Sequence, residues 1–550
     1  MTAVAAEGSP RTTMLTGTLR LVRFILRKDR VKLPAWILSI AVFISYYVVA
    51  LPTIFESEEK LRSMGSQFAD GPIGALVGGP TYGFDNLTFP RFMFGVYGLY
   101  FLLAAALMNI LLVTRNSRAE EESGRGELIR AGAVGRQANL TAVLLVALSA
   151  NIALALLMGL AAAGSGYPFH GSMLMGASVG GVGLVFASIA AVTNQMTPFA
   201  RSASSMAGAA LGAAWVIRTA GDMLTMHGSL LSWFSPLAWS QQTRPYVDER
   251  WWPLGLSVGF SLLLAALAFR ISSRRDFGTG VRQPKPGSPQ AAPWISSPWR
   301  FAFRLQKGSI IGWGIGLGIA GAIYGAIGGP MSTAFSDMGE TFKKVFGLPS
   351  GEIAAGAIKD SYFAMMALVD AIVLGVFGIL VLQYLRSHEE EGLTEPILAT
   401  RTSRVAWMGG HLAVAAIAGT ILLTFTGLIL STASSFGFGD VDIIREITWA
   451  HFVRTPEFLI TLGVAALLYG WAPRFLGVAW AFLAYGMLIS FFGPLMEPPQ
   501  WLYNIGMYDH IARYPFEPLT GTPILVQTGL ALIAALLGLW GFARRDIQSN

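Results

Sequence analysis

Cysteine is absent from the 550 residues, so neither a disulfide framework nor a thiolate metal site can form. Charge is scarce as well: Asp, Glu, Lys and Arg make up 13% of the chain, against roughly 25% in an ordinary soluble domain. Six histidines are scattered along the sequence. No GxxxxGK[ST] phosphate loop, HExxH pair, grouped metal ligands or GxSxG elbow accompanies them. These gaps exclude thiol chemistry and leave enzymatic hydrolysis without support. The chain is expected to carry no catalytic residue, no metal and no nucleotide of its own.

What is plentiful is apolar surface. Hydrophobic residues make up 53% of the sequence and mean hydropathy is +0.54, so water is not the main solvent. Crossing about 30 Å of hydrocarbon takes roughly 20 apolar residues in a helix. Runs of that kind lie near 33–53, 92–114, 139–163, 170–193, 203–227 and 251–270, and again near 309–329, 362–385, 406–433, 453–472, 475–495 and 522–542. The expected fold is an all-α integral membrane protein of about twelve transmembrane helices, six in each of two halves. Placing the N-terminus inside puts 27 of the 39 Lys and Arg on the cytoplasmic face and eleven outside, with Arg218 inside a span. That bias obeys the positive-inside rule, so both termini are expected to be cytoplasmic. The basic tail is too long and polar for a signal peptide, and no cleavage is expected.

The halves are related. RAEEESGRGELIRAGAVGR, from Arg118 to Arg136, aligns without gaps on RSHEEEGLTEPILATRTSR, from Arg386 to Arg404, and each copy follows the second span of its half. Arg23, Arg27 and Trp36 match Arg300, Arg304 and Trp313, and Arg274-Arg275-Asp276 matches Arg544-Arg545-Asp546. A tandem duplication of parallel topology follows, with an even number of spans per copy. The expected layout is a tail at 1–32 with an amphipathic interfacial helix, a first transmembrane half at 33–277, a Pro/Gly/Ser-rich cytoplasmic linker at 278–298, and a second half at 299–550.

The repeated acidic motif reads as a short, charged, solvent-facing helix. A capped helix turned to water is its plain meaning; retention in both halves points to a paired docking site for a cytoplasmic partner. Ahead of the first span, Leu15, Leu19, Val22 and Leu26 share one helical face while Arg20, Arg23, Arg27 and Arg30 lie on the next, the pattern of a helix in the membrane interface, and a shorter version runs from Trp299 to Lys307. Arg218, Asp222 and Asp370 fall inside spans, where charge is costly and therefore functional by default. For Arg218 and Asp222, four residues apart, mutual neutralisation is the economical alternative. Glycines 312, 314, 316, 318, 321 and 325, with Gly208 and Gly212, are read as close-packing positions. Two external stretches, Ser229 to Arg250 and Pro498 to Thr522, are rich in aromatics and read as interfacial or re-entrant segments, with an outward gate as the sharper alternative.

These motifs resemble the actinobacterial ABC-2 type permeases that export polyketide antibiotics, including the tetronasin-type transport permeases. The loop from Arg118 to Arg136 is similar to that family's pattern after the second span, the copy at Arg386 to Arg404 is looser, with Pro396 and Thr400 to Thr402 departing, and SPLAWSQQTRPY from Ser235 to Tyr246 looks like its external segment. The resemblance implies a type V exporter fold and a permease for amphiphilic antibiotics, drugs or lipids, working with a separate ABC ATPase subunit in two copies that holds ATP and Mg. It implies further that Glu120, Glu121, Glu122, Gly124, Glu127 and Arg130, with Glu389, Glu390, Gly392 and Glu395, belong to coupling helices docked on that ATPase. Arg20, Arg23, Arg27, Arg300 and Arg304 would sit on connecting helices, and Arg218, Asp222 and Asp370 are candidate pathway residues. The cell membrane is the expected location, lipid and an amphiphile the expected contacts, and nucleic acid is not among them. A twelve-span proton-coupled drug transporter is the alternative, with Asp370 as its proton site, although the few intramembrane carboxylates supply such a relay poorly. A scaffold or intramembrane enzyme would need a catalytic constellation or soluble domain that is missing.

Overall fold

Helices form every long regular element that the computed structural model describes, over residues 14–55, 57–62, 78–132, 134–225, 227–281, 287–290, 292–336, 355–496 and 499–547. No strand occurs among the described residues. The chain divides into two compact units, Met1–Gly287 and Ser288–Asn550.

In the first unit an amphipathic helix, α1 (Thr18–Lys28), leads into α2 (Lys32–Phe55). A short turn at Phe89–Phe92 and a π-helical turn at Met93–Tyr97 open the second span, which continues as α3 (Gly98–Asn116). Two short helices follow, α4 (Arg118–Glu122) and α5 (Arg125–Arg130), and then α6 (Ala138–Gly164), α7 (Phe169–Met196), α8 (Ala200–Leu224), α9 (Pro236–Gln241) and α10 (Pro253–Arg274). Pro236 and Pro253 start their helices at the position where a missing N–H leaves no orphan. Helix α7 is the centre of the unit and packs on α3, α6 and α10. Small residues allow this: a Cβ at Gly176 would lie 2.1 Å from the Ala155 carbonyl oxygen of α6, so the two backbones touch.

The second unit repeats the plan with α11 (Pro298–Ser336), α12 (Ala355–Glu390), α13 (Glu395–Leu398), α14 (Arg404–Phe438), α15 (Asp442–Phe452), α16 (Thr455–Trp471), α17 (Val478–Met496), α18 (Gln500–Ile505) and α19 (Gly521–Arg544). The Ser403 hydroxyl caps α14 by accepting from Ala406 N–H at 3.1 Å, and Gly439, in the left-handed region, ends it. Helix α16 packs on α12 and α19 as α7 packs on α3 and α10. Where α7 is continuous, its counterpart breaks at Val453–Arg454 between α15 and α16.

Among the described residues eleven helical segments are long and apolar enough to cross a membrane, five in the first unit and six in the second. The twelfth expected span, α8, forms as a 25-residue helix but is too poor in large apolar residues, with Arg201, Arg218, Asp222 and several Ala, Gly and Ser. The close-packing reading of glycine holds at Gly314, Gly318, Gly321 and Gly325, which face α14, and fails at Gly208, Gly212, Gly312 and Gly316, which meet nothing within 4 Å. The amphipathic stretch from Trp299 to Lys307 is the start of α11 rather than a separate helix, so Arg300 and Arg304 stand on the first span itself. In the first unit, by contrast, α1 and α2 are separated by a turn.

Candidate functional site

The acidic repeat folds into the same device in both units. In the first, the Arg118 guanidinium is fully buried: Nε donates to the Asn194 carbonyl at 2.8 Å, Nη2 to the Asn194 and Thr279 carbonyls, and Nη1 to Glu121 Oε2 at 2.7 Å. Glu121 in turn receives Arg275 Nη2 on both oxygens, at 2.8 and 2.9 Å. In the second unit Arg386 donates to Glu390 at 2.7 Å and to the Pro473 carbonyl at 2.8 Å. Glu389 accepts from both terminal nitrogens of Arg545 and from the Tyr469 hydroxyl at 2.8 Å. The loop arginines close each device from the other side, Arg136 donating to the Arg275 carbonyl at 3.0 Å and Arg404 to that of Arg545 at 2.6 Å. Burial works against the Arg545 cation, yet the hydrogen bonds and charge of Glu389 outweigh it and hold the guanidinium pKa above its ordinary value. Each loop is thus bolted to the end of the last helix of its own unit.

The solvent-facing reading of the motif is corrected by this geometry. Glu120, Glu121 and Glu389 are turned inward, because a carboxylate held by a cation at the protein interior gains more from a charge-assisted pair than from water. Glu122 is exposed yet accepts from the backbone N–H of Ala200 at 2.8 Å, capping the first turn of α8. What remains outermost is a small tip in each unit: Gly124, Arg125, Glu127 and Leu128 in the first, and Glu390, Glu391, Leu393 and Glu395 in the second. Leu128 is 77% exposed. Gly124 and Gly392 turn the chain at φ +74° and +72°, a conformation that favours glycine. The side chain of Arg130 lies outside the described residues.

Helix α1 is wired to this loop. Lys28 Nζ donates to Glu120 Oε1 at 2.5 Å and to Asn116 Oδ1 at 3.2 Å, while buried Asp29 accepts from Arg115 and Asn116, both at 2.7 Å. The face of α1 that packs inward is Leu21 and Ile25, against α6, not the stripe from Leu15 to Leu26. Leu15, Leu19 and Leu26 are exposed beside Arg20, Arg23 and Arg27, as an interfacial helix requires.

Within the spans, Arg218 and Asp222 neutralise each other at 3.3 Å, and Asp222 also receives the Ser232 hydroxyl at 2.7 Å, so the pair fastens α8 to the segment beyond it. Asp370 has a partner that spacing in sequence does not reveal: His451 Nε2 lies 3.2 Å away. The other ring nitrogen, Nδ1, is 2.8 Å from the Ile447 carbonyl, which can only accept, so Nδ1 carries hydrogen. A further buried ion pair, Arg454 with Glu457 at 2.7 Å, sits at the break between α15 and α16. It went unremarked in the sequence, although opposite charges three residues apart inside an apolar run are its signature.

The first unit also concentrates backbone strain. All five non-glycine residues with left-handed φ among the described residues, Thr81, His227, Arg244, Tyr246 and Glu249, lie at the end of the helices opposite the acidic loop; each such residue costs roughly 1–3 kcal/mol.

One family model, described as "Multidrug efflux system permease Rv1217c, C-terminal domain", matches the chain twice, over residues 21–271 and 295–543. The multidrug efflux system permease protein Rv1217c of Mycobacterium tuberculosis is 33% identical over 541 residues, which cover 97% of this chain and 96% of that protein. The double match falls one copy to each half, so the duplication read from the acidic motif extends through nearly the whole of both. With its many apolar helices and these two matches, the chain is a multi-pass membrane protein that belongs to the multidrug efflux system permease family.

Proposed function

We propose that this protein is the membrane-spanning subunit of an ATP-driven exporter of amphiphilic compounds, such as the polyketide antibiotics of the tetronasin-type exporters, and that a separate ATPase subunit drives it from the cytoplasm. The observation that carries the reading is the duplicated loop: the same ion-paired scaffold is built twice, and each copy presents a charged tip with one exposed leucine. A scaffold bolted to the last helix of its unit transmits a push on the tip to the spans, whereas a merely solvated turn has no need of buried arginines. Two tips suit two ATPase copies, which would hold ATP and Mg, and the Lys and Arg bias sets both tips and both termini on the cytoplasmic face of the cell membrane. The Lys28–Glu120 bridge extends the same linkage to α1.

The test is co-purification of the full chain with a candidate ABC ATPase subunit, in nanodiscs. The informative variants are on the tips, Glu127→Lys with Leu128→Asp and Glu395→Lys with Leu393→Asp, since reversal of Glu120 or Glu121 would break internal bridges instead. Wild type is expected to retain two ATPase copies and the tip variants to lose them with the fold intact; retention by both variants would sink the docking reading. The Asp370–His451 pair favours a second reading, proton-coupled transport. Asp370→Asn keeps a hydrogen-bond partner for Nε2 while removing the carboxylate, so export that survives it is ATP-driven and export that vanishes with it is proton-driven.

A further inference from the structure

We propose that the first unit carries, at the end of its helices opposite the acidic loop, a binding site for the oxyanion head group of an amphiphile, with Arg91 and Arg244 as its cations. This deepens the exporter reading and rests on it for the ligand's role as cargo, although binding itself requires no ATPase. A small cavity of about 20 Å³ lies there, and Tyr82, Arg91, Phe94, Gln241, Arg244 and Val247 are among its lining residues.

The charge balance of the cavity is positive. Arg91 donates only to carbonyls, to Tyr246 O from Nε at 2.8 Å and to Asn86 O from Nη1 at 2.8 Å, and no carboxylate among the described residues pairs with it. Arg244 shares Asp248 with Arg250. Arg91 and Arg244 thus line the cavity, and no carboxylate is among its lining residues. A planar guanidinium fork is matched to a carboxylate, sulfate or phosphate.

Two buried polar atoms on the cavity's lining residues have no partner: Arg244 Nε, a donor, and Gln241 Oε1, an acceptor. The first suits an oxyanion and the second a hydroxyl of the ligand. Arg244 is held over the Tyr82 ring at 3.8 Å, and Tyr82 is itself fixed by hydrogen bonds to His227 O and Gln242 Oε1. Buried bonds tie the same segment to α7, Thr243 to Ser178 at 2.7 Å and Tyr246 to Ser172 at 3.0 Å. The cations are therefore preorganised, on a backbone whose left-handed residues Thr81 and Arg244 line the cavity. Phe94 and Tyr82 supply the apolar flank for a tail.

The oxyanion is carried either by a permeating amphiphile or by an anionic lipid, and one experiment separates the two. The full chain is placed in phosphatidylcholine nanodiscs and titrated with radiolabelled laurate, with dodecyl phosphate and dodecyltrimethylammonium as competitors. Laurate is expected to bind, dodecyl phosphate to compete and the ammonium compound not to. Arg91→Gln and Arg244→Gln are expected to weaken laurate tenfold or more. Val247→Glu, which removes no hydrogen bond and adds a negative charge to the cavity wall, provides the same readout should an arginine variant fail to fold. Displacement of laurate by discs containing phosphatidylglycerol identifies lipid as the occupant; undiminished laurate binding there identifies the permeating amphiphile. Folded variants that bind laurate as wild type does, or equal competition by the ammonium compound, overturn the site. Loss of ATPase co-purification with laurate binding intact refutes the exporter reading alone.

Discussion

Glu389 and Glu390 are neighbours in an acidic triplet, yet the fold gives them opposite surroundings. Glu389 is enclosed by Arg545 and Tyr469, while Glu390 meets water beside Arg386. Removing one partner of a buried pair strands the other and costs about 3–5 kcal/mol, whereas an exposed pair is worth about 0–1 kcal/mol. Glu389→Ala is therefore expected to lower the thermal unfolding temperature by several degrees, with Glu390→Ala close to wild type; equal effects would show that the Arg545 bridge contributes nothing. A paired Glu389→Ala, Arg545→Ala variant should recover part of the loss, and a double-mutant cycle reads the coupling directly. At this scale the sequence is legible for identity and opaque for direction. The match of Arg274-Arg275-Asp276 to Arg544-Arg545-Asp546 marks both arginines as repeated, but the carboxylates they hold lie about 155 residues away along the chain, at separations of 154 and 156. Asp370 is hidden for the same reason, since His451 stands 81 residues on.

The elements were the most readable level, because twenty apolar residues in a row have few alternatives in a bilayer. Misplaced boundaries have local causes: α11 is 39 residues long because its amphipathic start runs without a break into the span, and the break before α16 comes at Val453 and Arg454, after which Thr455 and Pro456 start a fresh N-terminus. How closely helices approach is less legible than that they exist. Gly470 of α16 and Gly538 of α19 meet so tightly that a Cβ on Gly470 would lie 2.0 Å from the Gly538 carbonyl oxygen, and one on Gly538 would lie 2.5 Å from that of Ala466. Gly538→Val is expected to push the two helices apart and reduce the yield of monodisperse protein. Gly529→Val, on the same helix with nothing within 4 Å, serves as the tolerated control. Equal behaviour of the two would mean that this approach does not hold the unit together.

Each unit has its own buried apolar cluster, one around Phe101, Leu154 and Phe186 and the other around Phe377, Phe458 and Tyr469. A protease site inserted between Gly287 and Ser288 is therefore expected to yield, on cutting, two fragments that keep their helical circular dichroism; collapse of either would show that its core depends on the other. The units have also diverged inside. Asn109 and Asn151 exchange hydrogen bonds at 3.0 and 2.8 Å across α3 and α6. At the offset of the acidic repeat those positions hold Phe377 and Gly419, with the Phe458 ring pressed against the glycine. The strained arginine cavity belongs to the first copy, the interrupted helix with its Arg454–Glu457 and Asp370–His451 pairs to the second. A dimer of identical halves would carry two of one and none of the other; joining the copies in one gene fixes their ratio at one to one and lets selection specialise each without disturbing its twin.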